Sequence, residues 1–511
     1  MAHTSQLGEQ PNFDLANAQG QNNATDPEKA SSEQLERSSV QPRIDHAAER
    51  SLVRKLDWHI PPLVGFLFLL SFLDRSNIGN AKIAGMEEDL ELQGNRYSWL
   101  LTIFYIGYII FQFQGLMWKI VRPHYWACFI VFAWGVIATC QAATQTWAGE
   151  MALRFLLGAA EAGFGPSIPY LLSFFYLRHE LGFRSGIFLA CAPLASTFAG
   201  ALAYGITSGH PKLASWRLLF LVEGIPTILA AFLAFFFLPD SPSVAKFLTE
   251  EEKEIAKARG VRQTGQEERP KGIVWKDILL TLGDLKAWFT ALMYFSCNVS
   301  YSSLPVYLPT ILNQMGFSAI NSQGLSVPPY FISVFVTVGT CWVADRFQQR
   351  GLMIMCLSLV AGVGYILLAA CPGVGPRYFG TFLAASGVFP AIANILPWVV
   401  NNQGSDTRRG MGIIILNVVG QCGPLLGTNV FPTKEAPRYV KGQIICAAFM
   451  FFNAFLAISL RTLLVWENKK LDEKYGKIDR EHLAAIREGK VVAGEDNAGE
   501  ENYGKYFRFV L

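Results

Sequence analysis

Charge is scarce in this chain. Of its 511 residues only 16% are Asp, Glu, Lys or Arg, against roughly a quarter in an average soluble domain. The shortage argues against an ordinary soluble enzyme. The usual catalytic strings are missing from its apolar stretches too: no HExxH, no GxSxG, no phosphate loop and no paired His and Asp. Metalloprotease, serine hydrolase and nucleotide chemistry therefore have no basis here, and the chain reads as a non-enzyme. Nine cysteines are present, but no two form a CxxC, and the seven histidines include no HxxxH. Free thiols acting as small hydrophobes are expected, with no metal and no cofactor. The first 50 residues lack an apolar core of the signal-peptide type and are rich in Gln, Asn, Ser and charge, so a disordered cytosolic tail is expected there. A net charge of +3 says little about partners, and no nucleic-acid partner is expected.

What is present is hydrophobic length. Six long blocks carry no Asp, Glu, Lys or Arg: Tyr97–Trp118, Pro123–Gly149, Ser185–Pro211, Ala287–Ala344, Leu352–Pro376 and Gln443–Leu460. A bilayer-spanning helix needs about 20 apolar residues. Twelve spans can be laid out, near 57–79, 97–118, 124–144, 147–176, 183–207, 216–238, 286–312, 325–344, 352–371, 376–402, 410–431 and 441–464. Asn313-Gln314-Met315-Gly316 and Asn321-Ser322-Gln323-Gly324 supply the polar turn between the seventh and eighth. The fold class expected is an all-α membrane protein with 12 transmembrane helices in two six-helix halves. Its parts are a tail at 1–50, a first half at 51–240, a charged cytosolic linker at 241–285, a second half at 286–465 and a cytosolic tail at 466–511. Lys119, Arg122, Arg178, Arg184, Arg346, Arg350, Arg408 and Arg409 fall in connections on one side. Lys/Arg excess marks the cytosolic side, which puts both termini inside. The protein is expected to sit as a monomer in the lipid bilayer, at the plasma membrane.

The two halves echo each other. Gly163-Phe164-Gly165-Pro166 precedes Arg184-Ser185-Gly186, and Gly387-Val388-Phe389-Pro390 precedes Arg408-Arg409-Gly410, at the same interval of 18 residues. Parallel half-repeats are a mark of the major facilitator architecture. The connection GTCWVADRFQQRG (339–351) resembles the loop signature of that superfamily, with Asp345, Arg346 and Arg350 on its charged positions and Cys341 and Gln348 where glycines are usual. The resemblance implies a gating role for these three residues; a plain positive-inside role is the alternative reading.

Charges inside the apolar stretches are the candidate site, because intramembrane ionisable groups face a bundle interior or a wet cavity. Asp74 lies 14 residues into the uncharged run that starts at Ile60, about 21 Å along a helix and past the midplane of a core of about 30 Å. Arg75 and Arg154 are the candidate substrate ligands, as the arginines inside these stretches. Asn77 could add an amide donor. The alternative for Asp74–Arg75 is an interfacial cap reaching outward. Arg154 and Glu161, seven apart with Gly158 between them, share a helix face and read as an intramembrane ion pair that either fastens helices or switches with a proton. Glu223 is a proton site, or lies near the surface capped by Arg217. The second half offers uncharged groups, Asn298, Tyr301, Asn394, Asn417 and Gln421. Asn298 and Asn394 are the better cavity candidates because they fall mid-span, with interhelical glue as the alternative.

KLDWHIPPL (55–63), FLDRSNIGNAKI (72–83), RFLLGAAEAGFGPS (154–167), WRLLFLVEG (216–224) and FLPDSP (237–242) together resemble the fungal anion:cation symporter branch of the superfamily, the allantoate permease family. That resemblance covers roughly 50–470. It implies uptake of a small organic anion, a carboxylate of the nicotinate, pantothenate or allantoate kind, coupled to protons carried by Asp74, Glu161 or Glu223. The fifth span lacks the glycine-rich antiporter run, which favours import. Efflux of a fungal metabolite and a transporter-like nutrient sensor are the alternatives.

Overall fold

The computed structural model describes residues 46–177, 180–209, 212–264, 275–403, 406–477 and 507–511. The expected amino-terminal tail, apart from residues 46–50, lies outside the described residues, as do 265–274 of the linker and 478–506 of the final tail. Among the described residues the chain is helical, without strands. Twelve principal helices follow the order of the apolar blocks: α1 His46–Ser76, α2 Arg96–Ile110, α3 Pro123–Cys140, α4 Trp147–Glu161, α5 Leu181–Ser208, α6 Ser215–Phe237, α7 Leu285–Gln314, α8 Ala319–Phe347, α9 Arg350–Ala370, α10 Val374–Asn401, α11 Asp406–Gly420 and α12 Val440–Tyr475.

Nine helical stretches among the described residues are long and apolar enough to cross a membrane. A tenth joins them if the short helix Trp275–Leu282 and α7, bent by 64° to each other, count as one. The two remaining blocks are broken. α2 tightens into a 3-10 segment at Phe111–Leu116, and α4 ends before a 3-10 turn at Gly165–Ser167. In the second case Pro166 lacks the N–H that a continuing helix would need, and its ring crowds the carbonyl one turn back. The polar turn expected at 313–324 is also shorter. Ser318 caps α8 by accepting a hydrogen bond from Asn321 N at 3.2 Å, so Asn321 to Gly324 are already helical.

Without a hydrophobic force between helices in lipid, close backbone approach takes over, and small residues permit it. A Cβ on Gly387 of α10 would lie 2.5 Å from Leu357 O of α9, and one on Gly107 of α2 would lie 2.5 Å from Phe155 O of α4. Gly158 of α4 is tighter still against Phe104 O of α2. Because the obstacle is backbone, Gly158→Ala must push α2 from α4. It is expected to cost about 1–3 kcal/mol, read as a lower unfolding temperature in detergent and less folded protein in the membrane. An unchanged unfolding temperature would show that the two helices part freely.

The linker helix Glu250–Thr264 is not merely solvated. It opens with a capping box in which Thr249 and Glu252 exchange hydrogen bonds of 3.0 and 3.3 Å. Lys55 of α1 then pairs with Glu252 at 2.7 Å, and Arg259 with Glu180 at 2.5 Å. The Lys55 hydrogen bond holds the Glu252 carboxyl below the usual carboxylate range. The linker is thereby tied to the first six helices at the end of the bundle where α1 begins, called here the tail end.

Candidate functional site

A narrow cavity lies where the two sets of six helices meet. Its wall holds Phe68 and Arg75 of α1, Tyr105 and Tyr108 of α2, Gly165-Pro166 after α4, Leu189 of α5, Tyr294, Asn298 and Tyr301 of α7, Ile392 and Leu396 of α10, Asn417 of α11, and Gln421 and Pro424 just beyond it. Arg75 is the one charged side chain on this wall among the described residues. Four tyrosines and three amides supply the remaining polar groups. Tyr301 packs edge-on to Phe72 and against Phe389, with ring centroids 5.4 and 5.1 Å apart.

Arg75 is anchored from behind. Its Nε and Nη2 donate to Oε2 of Glu161 on α4 at 3.3 and 2.7 Å, and Ser71 Oγ donates to the same oxygen at 3.0 Å. The guanidinium also lies 5.1 Å from the Phe104 ring and 4.9 Å from that of Tyr108, a favourable setting for a cation. Arg75 is thus paired neither with the adjacent Asp74 nor in the way the expected Arg154–Glu161 pair would leave it. Asp74 does not serve Arg75, because adjacent residues point about 100° apart around a helix. Asp74 faces α6, where Thr227 Oγ1 donates to its Oδ2 at 3.1 Å. Nor does Arg154 meet Glu161: seven residues are about 10.5 Å along the axis. Arg154 takes its i−4 neighbour Glu150 instead, at 3.3 Å, and Thr144 Oγ1 donates to the other oxygen of Glu150 at 3.0 Å.

The carboxyls exceed the cations here. Asp74 and Glu223 are each 2% exposed. Glu223 lies near Asp74 and Asn77, but neither of its oxygens has a hydrogen-bond partner of ordinary length among the described residues. Arg217 does not cap it, since Nη1 of Arg217 donates to Ala142 O at 2.8 Å. Of the five proposed substrate ligands, Arg75 and Asn298 line the cavity. Asn298 also donates from Nδ2 to Gly420 O at 3.1 Å, so it joins α7 to α11 as well. Asn77, Arg154 and Asn394 are buried off the wall. Asn394 donates to Pro390 O at 2.9 Å and accepts from Arg350 at 3.4 Å.

Both ends of the cavity are constricted, by different chemistry. At the far end the seal across the two sets of helices is uncharged. Tyr97 OH donates to Val306 O at 3.2 Å, the hydroxyls of Thr102 and Thr428 share a hydrogen bond of 3.0 Å, and Thr207 Oγ1 donates to Gln323 Oε1 at 2.7 Å. A Cβ on Gly79 would lie 2.6 Å from Val306 O. Gly79→Val is therefore expected to hold the far end open, read as faster maleimide labelling of a cysteine placed at buried Leu101, one turn from Tyr97; unchanged labelling would show that the seal tolerates the bulk. At the tail end Asp345 and Arg350 form an ion pair, and Gly182, at the start of α5, abuts both side chains. Arg346 is exposed.

Sequence reading missed Tyr105, Tyr108 and Tyr294. Their signal was available: Tyr294, Asn298 and Tyr301 recur at i, i+4 and i+7 within a charge-free block, one face of a helix. Lys82 falls beyond the first span laid out at 57–79. That lysine is buried in the helical continuation of α1, 3.6 Å from Glu87 and 4.6 Å from the Tyr97 ring.

Comparison with known proteins agrees with this architecture. Residues 64–428 match the Major Facilitator Superfamily. The MFS transporter prlL of Fungal sp. (strain NRRL 50135) is 33% identical over 451 residues, which cover 85% of this chain and 90% of that one. The high-affinity nicotinic acid transporter of Saccharomyces cerevisiae is 30% identical over 442 residues, covering 86% and 82%. A bacterial homologue of the human lysosomal transporter Spinster, solved in an inward-facing and unoccupied conformation, superposes with a TM-score of 0.58 at 15% identity over 79% of this chain and 97% of its own, a likeness of fold. A central cavity between two sets of six helices, a match over most of the chain and transporters as relatives lead to one assignment: this multi-pass membrane protein belongs to the major facilitator superfamily of secondary transporters.

Proposed function

We propose that the protein carries a small planar organic anion, a carboxylate, into the cell together with a proton, by opening its central cavity alternately at the two ends. The observation that carries this reading is the cavity wall itself. Its single charge is a guanidinium, held in place by Glu161 and surrounded by tyrosine rings. A carboxylate entering there finds the planar donor fork that suits it, amides at Asn298, Asn417 and Gln421 to complete its hydrogen bonds, and aromatic faces for a flat body. That a relative is a nicotinic acid transporter supports this class of cargo. In this reading the termini are cytosolic, the tail end faces the cytosol, and the protein acts as a monomer at the plasma membrane.

Charge balance supports the proton. Arg75 and Arg154 face four buried carboxyls, Asp74, Glu150, Glu161 and Glu223. Two pairs form, and two carboxyls are left over. Unpaired buried charge is costly, so Asp74 and Glu223 are suited to hold protons. Glu161 is the switch: when a substrate carboxylate draws Arg75 away, the freed Glu161 takes a proton. When the substrate leaves, Arg75 returns and the proton departs. Asn77 lies close to Glu223 and off the cavity wall, so it is placed to meet that carboxyl rather than the substrate.

The test is uptake of labelled nicotinate, pantothenate and allantoate by cells producing the protein, with and without a protonophore. Accumulation that collapses with the protonophore is expected. No uptake of any carboxylate would overturn the cargo, and accumulation indifferent to the protonophore would overturn the coupling.

A further inference from the structure

Phe507–Leu511 belongs to no helix, yet it is held by a dense set of directed contacts. Asn402, just past α10, grips Val510 on both sides: its Oδ1 accepts from Val510 N at 2.8 Å, and its Nδ2 donates to Val510 O at 3.0 Å. Asn468 of α12 does the same to Phe509, at 2.8 and 3.0 Å. Each amide side chain thus stands in for a neighbouring strand. Trp398 Nε1 of α10 donates to Val510 O at 2.8 Å, and Gly351 N at the start of α9 to Leu511 O at 3.2 Å. Side chains are read as well. Arg508 pairs with Asp472 of α12 at 2.7 Å, and Phe507 and Phe509 are buried to 2% and 6% exposure. Backbone capture together with pockets for particular side chains is how grooves recognise extended peptides.

The groove sits beside the end of α10 that packs against α5. Pro397 removes the hydrogen bond that its N–H would give to Ala393 O, which makes a hinge of the turn 393–397 about which the last turn of α10 can swing. Leu396, Pro397 and Val400 of that stretch line a small cavity with Leu181, Gly182 and Ser185 of α5, so the end of α10 closes the tail end of the central cavity. On its other flank the same stretch, through Trp398 and Asn402, is bound to the peptide. The peptide is in turn bound to α9 and α12.

We propose that the ends of α9, α10 and α12 form a recognition groove for this chain's own peptide Phe507–Leu511, and that the docked peptide holds the last turn of α10 against α5 and keeps the tail end closed. Release of the peptide, by modification, by a competing partner or by tension on the preceding chain, opens that end more readily.

Cys341 of α8 is a native reporter, buried against Gly186 of α5. In the full-length protein with Cys341 as its sole cysteine, maleimide labelling is measured from the tail end in membrane vesicles. Deletion of 507–511 is expected to speed labelling on the order of tenfold, the factor set by one or two net hydrogen bonds. Added Phe-Arg-Phe-Val-Leu peptide should slow it again, and a scrambled peptide should not. Arg508→Glu, facing Asp472, should mimic the deletion in a chain of full length, and Arg508→Glu with Asp472→Arg should restore slow labelling. Equal labelling in the Arg508→Glu variant overturns the proposal. So does a rise that neither the peptide nor the charge swap reverses, for that is general loosening. The readout needs no substrate, so it stands apart from the identity of the cargo.

Discussion

Arg75→Lys is expected to leave a folded transporter whose kcat/KM for the carboxylate falls by about 10- to 100-fold, the worth of one charge-assisted hydrogen bond. Lysine keeps the positive charge, but it cannot offer two donors of a planar fork to Glu161 while presenting another edge to a substrate. In the structure two guanidinium nitrogens converge on one oxygen of Glu161. Arg75→Gln should be worse in two ways. It removes the anion ligand, and it leaves Glu161 buried beside Ser71 without its cation, at a cost of about 3–5 kcal/mol. The double change Arg75→Gln with Glu161→Gln separates these losses, since it should recover the folded protein without recovering transport. Initial rates over a range of substrate concentration, normalised to folded protein, decide the matter. A lysine variant with unaltered kcat/KM would remove Arg75 from the binding site.

Glu223→Gln and Asp74→Asn are expected to abolish accumulation against a gradient while sparing exchange of substrate between the two sides. Each substitution imitates the protonated carboxyl, so little stability should be lost where the native group has no cation of its own. The Thr227 hydroxyl that donates to Asp74 can still donate to the amide oxygen of asparagine. What disappears is a place for the travelling proton. Concentrative uptake and counterflow, measured side by side in proteoliposomes with an imposed pH gradient, distinguish lost coupling from lost binding. If both variants accumulate substrate as well as the native protein, the proton is carried at Glu161 alone.

Much of the architecture was legible before any coordinate. The apolar blocks, the charged divide between them and the echo of Gly-Phe-Gly-Pro in Gly-Val-Phe-Pro are linear features, and the described blocks do form helices in the expected order. Breaks in two of the blocks were written there too, in Pro166 and in the glutamine- and glycine-containing run 111–116, but hydropathy averages over such residues. Of the candidate charges within the apolar stretches, Asp74, Arg154, Glu161 and Glu223 are buried. Their partners were not legible. Asp74 and Arg75 are neighbours in sequence and face different helices; Arg154 and Glu161 share a face and lie too far apart along it.

Repeated membrane crossings, the echoed motif and the presence of a few ionisable residues inside apolar stretches follow from composition and spacing along one dimension. Three-dimensional packing is what pairs Arg75 with Glu161, leaves Asp74 and Glu223 without an arginine among the described residues, turns four tyrosines to the cavity and returns Phe507–Leu511 to grip α10. The reason is physical: an ion pair or a cavity wall depends on the rotation of each helix about its axis and on which helix packs beside it, and in this chain those choices are set by glycine contacts between segments far apart in sequence.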